Sequence, residues 1–311
     1  MSDSEVLEIK KRYYTRMMDV YRKKRIYIPG LPTLIRTALR LKVTKDRLKM
    51  QVLCRASEEE MRKWFEGKRI FFGFGLIRSG TTFLANFLNQ TVPDAVIGHE
   101  VNVVDYWYYP LALQSGAEAE KYIREYRLPE IFYRMHSWQG NLYGEINPFL
   151  RRHCRALQKY LPQATFFHVV RDGRKVVRSI MSRQTLDRTD PVGHLIHPPP
   201  GDPYAGTWKK MSRFEKICWL WQSDNRYLRE SAGATVSFER VITDWDYFKR
   251  NLADPIGIHI SQEVWQTYSK RVGNPTPAFR IGPWSSWSSL ERDQFKAICG
   301  EEMRACGYEM D

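Results

Sequence analysis

The pattern of apolar and polar residues predicts short buried strands that alternate with amphipathic helices. Four apolar runs have the length and composition of strands, at residues 69–76, 95–100, 164–170 and 234–238. Apolar residues recur at helical spacing between and beyond them, at residues 34–48, 58–65, 83–88, 122–133, 149–161, 214–229 and 290–306. This alternation predicts an α/β protein with a P-loop-like three-layer fold, in which helices flank a central parallel sheet. Ligand sites are then expected at the carboxyl ends of the strands.

Three other segments have weaker patterns. The sequence Gly-Glu-Ile-Asn-Pro at residues 144–148 predicts a break between two elements. Residues 101–113 are aromatic and apolar, which predicts a helix or a wall beside the site. Residues 184–212 form a long connection centred on prolines, and such connections are typical of functional lids or disordered segments.

Residues 1–68 are predicted to form a basic helical extension, followed by a catalytic domain at residues 69–311. Apolar residues recur at helical spacing between residues 6 and 20, a basic cluster occupies residues 22–25, and two prolines break the pattern at residues 29–32. We expect the extension to pack against the domain. The alternatives are that this basic extension covers the mouth of the substrate site or makes peripheral contact with a membrane surface.

Charge and composition narrow the class of ligand. The 311 residues are 43% hydrophobic and carry a net charge of +14, which favours an anionic ligand, an acidic membrane surface or nucleic acid. No nucleic-acid-binding motif is evident, so nucleic acid is not the expected partner. No apolar run is long enough to span a membrane, and the first residues lack the order of a signal peptide. The five cysteines are widely spaced, which predicts reduced thiols in the cytoplasm and no zinc site.

The first predicted strand runs into a turn of small and hydroxylated residues. Gly75 and Gly80 have the spacing of a P-loop, but Thr81 stands where a P-loop carries lysine. Glycine lets the backbone approach a ligand, the N–H groups of the next helix point at it, and Arg78 adds a donor. The turn therefore predicts a phosphate site unlike that of an ordinary nucleotide triphosphatase. A capped strand-to-helix turn without a ligand is the alternative.

A second strand end carries a similar group. Arg171 follows the strand at residues 164–170, and Ser179 lies eight residues later among further basic residues. Two phosphate sites at two strand ends predict a ligand with two separate phosphates. A triphosphate would instead crowd its charge on one loop and need Mg²⁺ with an acidic ligand. Neither strand offers a pair of acids, so no metal is expected, and Asp172 is predicted to cap a helix or pair with an arginine.

Taken together, these motifs resemble those of sulfotransferases that use 3′-phosphoadenosine 5′-phosphosulfate (PAPS). The resemblance covers residues 69–311 and is closest to members with the sequence Arg-Ser-Gly-Thr-Thr, found here at residues 78–82, including tyrosylprotein sulfotransferases. It implies transfer of a sulfuryl group from PAPS and release of 3′-phosphoadenosine 5′-phosphate (PAP), with no metal. The cofactor-binding residues that it implies are Arg78, Ser79, Gly80, Thr81, Thr82, Arg171, Ser179, Phe238, Ile281, Gly282 and Trp284.

The chain departs from the resembled enzymes at the position of the base. Cytosolic members carry Lys-Thr-His, which would fall on Ile146, Asn147 and Pro148. Tyrosylprotein sulfotransferases use a glutamate on the strand after the first loop, and Glu100 stands at that position. They also keep a lysine at the position of Ile146, so this chain departs from them too.

From this comparison, we expect Glu100 to be the general base. A carboxylate in this role needs burial or a close hydrogen bond to raise its basicity. Arg78 is the expected stabiliser of transition-state charge, because a guanidinium donates hydrogen bonds without losing its proton. His99 and His136 are the alternative bases, since an imidazole titrates near neutral pH.

We expect a small-molecule or natural-product acceptor that offers a hydroxyl or an amine. Aromatic residues 106–109, the connection at residues 184–212 and Trp284 are candidate pocket walls, with ordinary core packing as the alternative. The competing functions are a P-loop-type kinase or NTPase, a non-enzymatic binding module, and a sulfotransferase acting on a glycan, a lipid or protein tyrosine.

Overall fold

The structure, a computed structural model, describes residues 31–92, 95–138, 141–270 and 278–310. The helix predicted at residues 6–20 and the basic cluster at residues 22–25 lie outside the described residues. All predicted site residues lie within them.

The described residues contain five β-strands in one sheet. They are β1 (Arg69–Phe74), β2 (Ala95–Gly98), β3 (Leu142–Ile146), β4 (Thr165–Val170) and β5 (Ala234–Ser237). Their order in the sheet is β2-β3-β1-β4-β5, and every pair of neighbours is parallel. This arrangement confirms the predicted α/β class. All five strands end on the same side of the sheet, which we call the carboxyl edge.

Helices occupy most of the remaining described chain. The α-helices are α1 (Leu31–Leu53), α2 (Glu58–Glu66), α3 (Thr81–Thr91), α4 (Val103–Gln114), α5 (Gly116–Tyr122), α6 (Leu128–Trp138), α7 (Cys154–Tyr160), α8 (Gly173–Met181), α9 (Arg213–Ser231), α10 (Phe238–Thr243), α11 (Trp245–Phe248), α12 (Gln262–Ser269) and α13 (Ser289–Ala305). Stretches of π-helix span Ile123–Arg127 and Lys249–Ala253, and 3₁₀ helices span Pro148–His153, Gly193–Leu195 and Trp284–Ser286. None of the described helices is long and apolar enough to cross a membrane.

The break predicted at residues 144–148 is wrong, because most of this segment belongs to β3. The strand lies between β2 and β1 and is buried along its whole length. Gly144 leaves room for a ring from β1, since a Cβ there would lie 2.1 Å from an atom of Phe71. Glu145 is fully buried because an arginine from another part of the chain pairs with it. Phe71 and this arginine are both far from β3 in sequence, so the local sequence does not show why a glycine and a glutamate lie inside a strand.

Alternation along β1 sends side chains into two apolar layers, one on each face of the sheet. Phe72 stacks on Phe166 of β4, with ring centroids 5.7 Å apart, on one face. Phe71 meets Phe167 on the other, with centroids 6.2 Å apart. Helices cover both layers, which gives the predicted three-layer order.

The described part of the N-terminal extension packs on the first of these layers. Met50 of α1 and Met61 and Phe65 of α2 are buried in the same core as Phe72. Helix α2 begins at the predicted position, where Ser57 and Glu60 form a reciprocal capping box. This packing agrees with the expectation for residues 31–68.

Candidate functional site

The first loop (residues 75–80) connects β1 to α3 at the carboxyl edge. Gly75 lies so close to β4 that a Cβ there would be 2.6 Å from the carbonyl oxygen of Val169. Gly80 has a φ of +94°, and a Cβ there would lie 2.1 Å from the ring of Phe238. Neighbouring atoms leave no room for a side chain at either position. The left-handed backbone at Gly80 is a separate reason for glycine there.

Helix α3 directs its N-terminus toward the first loop. Its N-cap residue is Gly80, which has no side chain to satisfy the N–H groups of the first turn. The Ser79 hydroxyl is fully buried, and none of the described residues forms a hydrogen bond with its Oγ atom. Thr81 is also buried. Unsatisfied N–H groups beside a buried, unsatisfied hydroxyl suit an anion.

Arg78 joins the two loops that the sequence singled out. Its φ of 73° is uncommon for a residue with a side chain. Its Nε atom donates to Oγ of Ser179 at 2.9 Å, and its carbonyl oxygen accepts from Nη1 of Arg171 at 3.0 Å. Burial, with the nearby charges of Arg183 and Arg171, lowers the pKa of Arg78 to about 10. The side chain therefore remains charged at neutral pH.

The second loop (Arg171 and Asp172) connects β4 to α8. The guanidinium carbon of Arg171 lies 5.3 Å from the centroid of the Phe238 ring. Asp172 caps α8 by accepting from the backbone N–H of Arg174 at 2.9 Å and pairs with the side chain of Arg174, as predicted. Ser179 is buried on the same helix, 4% exposed. These contacts bring Arg78, Gly80, Arg171, Ser179 and Phe238 to one place.

Glu239, which was not predicted as a site residue, links Arg171 and Lys175 to Tyr308 in the C-terminal segment. Its carboxylate lies 3.9 Å from Nε of Arg171 and 3.3 Å from Nζ of Lys175. It also accepts a hydrogen bond from the Tyr308 hydroxyl at 2.9 Å. A carboxylate between two cations holds them in place and lowers the positive potential that they create together.

His99 and Glu100 follow β2 and lie beside the first loop. Nε2 of His99 is 3.2 Å from Oγ1 of Thr81 and 3.3 Å from Oγ1 of Thr82. Burial lowers the pKa of His99, which favours the neutral ring. Glu100 has a φ of 48°, and its Oε1 atom lies 3.9 Å from Nε2 of His99. Its charge also acts on Arg78, partly offsetting the drop in the pKa of that guanidinium.

The C-terminal element (residues 281–284), which includes the expected cofactor-binding residues Ile281, Gly282 and Trp284, reaches α8 through its backbone. The carbonyl oxygen of Ile281 accepts from Nε of Arg178 at 3.3 Å. The carbonyl oxygen of Gly282 accepts from the indole of Trp287 at 3.0 Å. Trp284 packs edge-on against Trp287, with centroids 5.1 Å apart. The element therefore borders the helix that carries Ser179.

His136 is not brought together with the other candidates. It lies near the end of α6, which leads into the start of β3 at the opposite edge of the sheet. Its ring is exposed and stacks on Phe132, with centroids 5.7 Å apart, and lies near Trp64 of α2. This position corrects the suggestion that His136 is an alternative base.

Comparison with protein-family models identifies the chain. The model of a sulfotransferase family matches residues 71–262, which include both loops, β2 with Glu100, and Phe238. The chain belongs to the sulfotransferase family. It is therefore an enzyme of the class that transfers sulfuryl groups. No curated protein sequence matches it.

Among solved structures, this sulfotransferase is similar to the sulfotransferase STF1 from Mycobacterium tuberculosis H37Rv. The two chains are 14% identical, and the match covers 83% of this chain and 85% of that one with a TM-score of 0.45.

This sulfotransferase has a buried cluster of charged residues that is connected to the turn carrying Glu100. Arg127 is fully buried and forms ion pairs with Asp105, Glu130 and Glu145. The side-chain amide of Asn147 donates to Asp105 at 2.8 Å and to Glu145 at 2.7 Å. Burial, partly offset by Arg127, raises the pKa of Asp105 to about 7.

Asn102 connects this cluster to the turn that carries Glu100. Its side-chain oxygen accepts from the backbone N–H of Val104 at 3.0 Å and so caps α4. Its side-chain nitrogen donates to Tyr126 at 2.6 Å and to Glu130 at 3.2 Å. The sequence did not predict the cluster, because its members are distant from one another in sequence. They come from α4, the π-helical stretch at Ile123–Arg127, α6 and the end of β3.

Among the described residues, no group of three or more His, Cys, Asp or Glu side chains is arranged to hold a metal ion.

Proposed function

We propose that this sulfotransferase takes its sulfuryl group from PAPS and transfers it in line to a hydroxyl or amine of a small-molecule or natural-product acceptor, releasing PAP. The observation that carries the proposal is the contact of Arg78 with both Ser179 and Arg171. It supports a single donor site built from two loops, as a nucleotide with two separate phosphates requires.

The residues of the two loops suit such a donor. In the proposal, the α3 N-terminus with Ser79, Gly80, Thr81 and Thr82 holds the 5′-phosphosulfate, and the buried Ser79 hydroxyl gains its missing partner. Arg171 and Ser179 hold the 3′-phosphate. An arginine that can bind two phosphate oxygens at once is well suited to that role.

The adenine is assigned to the side of Phe238. A Cβ at Gly80 would lie 2.1 Å from the Phe238 ring, and the guanidinium carbon of Arg171 lies 5.3 Å from its centroid, which supports an adenine site where the two loops meet. Ile281, Gly282 and Trp284 border α8 and, in the proposal, close over the nucleotide.

Transfer breaks the bond between sulfur and the bridging phosphate oxygen and forms a bond from sulfur to the acceptor atom. The acceptor proton goes to Glu100, the proposed general base. Arg78 donates hydrogen bonds to the oxygens on which charge develops, and it stays protonated because its pKa is about 10.

Backbone strain supports this pair of catalytic residues. Arg78, Glu100 and Leu186 are the residues other than glycine with positive φ in the described chain. Such conformations persist where the surroundings enforce them, often at functional sites. Two of the three belong to the proposed catalytic residues.

His99 remains the alternative base, but its contacts suit a positioning role better. Nε2 already lies within hydrogen-bond distance of Thr81 and Thr82, and burial favours its neutral form. In the proposal, His99 orients the two threonine hydroxyls at the start of α3. Glu100 is the more exposed of the two side chains, at 36% against 15%, so an acceptor can reach it. In the proposal, the bound acceptor covers the carboxylate and supplies the burial that a carboxylate base requires.

The acceptor pocket is proposed to lie between α4 and the connection at residues 184–212. The Tyr106 hydroxyl donates to Asp190, and the Tyr106 ring packs on Phe149 with centroids 4.9 Å apart. Asp190 also accepts from the backbone N–H groups of Leu186 and Val192, at 2.9 and 3.1 Å. The connection is therefore held against α4, which supports its role as a pocket wall. We place the reaction in the cytoplasm, in agreement with five cysteines that form no disulfide.

The experiment is incubation of the purified full-length protein with ³⁵S-labelled PAPS and a pooled library of hydroxyl- and amine-bearing small molecules. Label should move to an acceptor without added metal. The Glu100→Gln variant should transfer label about a hundredfold more slowly, or slower still, while still binding PAP. Parallel reactions contain glycans, lipids or tyrosine peptides. Transfer to these acceptors but not to the small molecules would overturn the proposed acceptor class, and transfer to none of the acceptors would overturn the proposed function.

A further inference from the structure

Helix α1 leaves an apolar stripe exposed on its outer face. Among the described residues, seven large apolar side chains are exposed, and four of them lie on this one helix. Leu41, Leu48 and Val52 are exposed by 68%, 58% and 68% and follow one another at spacings of seven and four residues. That spacing puts the three side chains on one face of a helix.

The opposite face of α1 is already used. Met50 is 8% exposed and belongs to the core that includes residues of α4 and α6. Lys42 and Asp46 form an ion pair on the flank, with side chains 28% and 23% exposed. Packing on the domain therefore fixes which face of α1 points outward.

Basic residues lie within the apolar stripe. Lys45 and Lys49 are both exposed. Lys45 lies four residues after Leu41 and three before Leu48, and Lys49 lies three residues before Val52, so both lysines border the apolar side chains. Helix α1 carries six Lys or Arg residues and one acidic residue, so its formal charge is +5 (6 − 1). The single acid, Asp46, is the one paired with Lys42.

We infer that this face, which we call the α1 stripe (Leu41, Lys45, Leu48, Lys49 and Val52), docks the enzyme on a bilayer surface that contains anionic lipid. Apolar side chains flanked by lysines on one face of a helix match the chemistry of an acyl boundary beneath anionic head groups. The inference does not depend on the identity of the donor or the acceptor.

A second copy of this chain and residues 1–30 could also cover the stripe, but charge disfavours both. A second copy of the helix would place Lys45 and Lys49 against their own counterparts, and like charges at close range repel. Residues 1–30 carry eight basic and four acidic residues, a formal charge of +4 (8 − 4), so they too are a poor partner for a basic face.

The test is co-sedimentation of the full-length protein with phosphatidylcholine vesicles, with and without phosphatidylserine. We expect binding to the vesicles that contain phosphatidylserine and weaker binding as the salt concentration rises. Because three apolar side chains leave the interface, the triple variant Leu41→Ser, Leu48→Ser, Val52→Ser should bind at least about tenfold more weakly. Lys45→Glu with Lys49→Glu should also lose binding.

Matched controls separate the stripe from general effects. Leu290→Ser removes a side chain that is 64% exposed on α13. Lys209→Glu with Lys210→Glu reverses two exposed charges outside α1. Both controls should bind vesicles as the wild type does, and all variants should keep the wild-type melting temperature.

Three results would overturn the inference. They are wild-type protein that stays in the supernatant with phosphatidylserine vesicles, a triple serine variant that binds as well as wild type, and control variants that lose as much binding as the stripe variants. The second result would assign any membrane contact to another part of the chain.

Discussion

The Nε atom of Arg78 donates a hydrogen bond to Oγ of Ser179 at 2.9 Å, across a gap of 101 residues in sequence. The contact ties the loop after β1 to the helix after β4, which are neighbouring strands in the sheet. The contact therefore joins the two halves of the proposed donor site. Substitutions in each half test its contribution to binding.

Replacing Arg171 should weaken PAP binding. Arg171→Ala removes a guanidinium that also hydrogen-bonds the Arg78 carbonyl, so we expect a loss of about 2 kcal/mol, roughly a thirtyfold rise in Kd. Calorimetric titration with PAP measures it. The control is Arg250→Ala, an exposed arginine of the second π-helical stretch, which should bind PAP as the wild type does. Equal affinity of Arg171→Ala and wild type would remove Arg171 from the site.

A methyl group at Gly80 should disrupt the first loop. Gly80→Ala would force a left-handed backbone on alanine, at about 1–2 kcal/mol, and push a Cβ into the ring of Phe238. We expect a lower melting temperature and PAP affinity reduced more than about tenfold. Gly206→Ala is the matched control, because nothing lies within 4 Å of a Cβ there, and it should change neither quantity. A Gly80→Ala protein with normal PAP affinity would contradict the proposed position of the phosphosulfate.

Glu100→Gln separates chemistry from binding. The amide keeps the size of the side chain but cannot take a proton, so turnover should fall by about a hundredfold or more while PAP affinity stays unchanged. Glu301→Gln, an exposed carboxyl on α13, serves as the control and should keep full activity. If Glu100→Gln retains its turnover and His99→Gln loses it, the base is His99.

The buried cluster should make the effect of Asp105→Asn depend on pH. Burial raises the pKa of Asp105 from 3.8 to about 7, so the folded state prefers the protonated carboxyl. Its contribution to stability is fully present below the unfolded pKa and is lost as pH rises through about 7. The variant lacks this titration, and the buried histidines, which are common to both proteins, cancel in the comparison.

Relative to wild type, the free energy of unfolding of Asp105→Asn should therefore rise between about pH 4 and about pH 7, by at most about 1.4 kcal/mol per pH unit. Urea unfolding of both proteins at about pH 5 and about pH 8 measures it. A difference between the two proteins that does not vary with pH would mean that Asp105 titrates outside this range.

Local patterns predicted most of the fold. Short apolar runs predicted four of the five strands. The glycine, hydroxyl and basic residues that follow two of these runs predicted the two loops and the helix cap at Asp172. All of these signals lie within a few residues of one another. The strand β3 was missed because the ring of Phe71 from β1 fills the space beside Gly144, and the cation that pairs with Glu145 is Arg127 from the π-helical stretch at Ile123–Arg127. Neither partner is near β3 in sequence.

The same limit applies to the site. His99 and Glu100 follow β2, so the rule that sites lie at the carboxyl ends of strands predicts their position at the carboxyl edge. His136 has no such signal in the sequence, and only the connection of α6 to the start of β3 puts it on the other edge. Glu239 and Tyr308 meet Arg171 and Lys175 through contacts between distant segments, which no local pattern encodes.

In the proposal, the two loops bind one nucleotide with separate 3′- and 5′-phosphates. Titration calorimetry of the wild-type protein with PAP, and with ATP in the presence and absence of Mg²⁺, measures this binding. We expect PAP to bind with the same affinity with and without Mg²⁺ and ATP to bind far more weakly. Absence of PAP binding, or tight ATP binding that requires Mg²⁺, would contradict it.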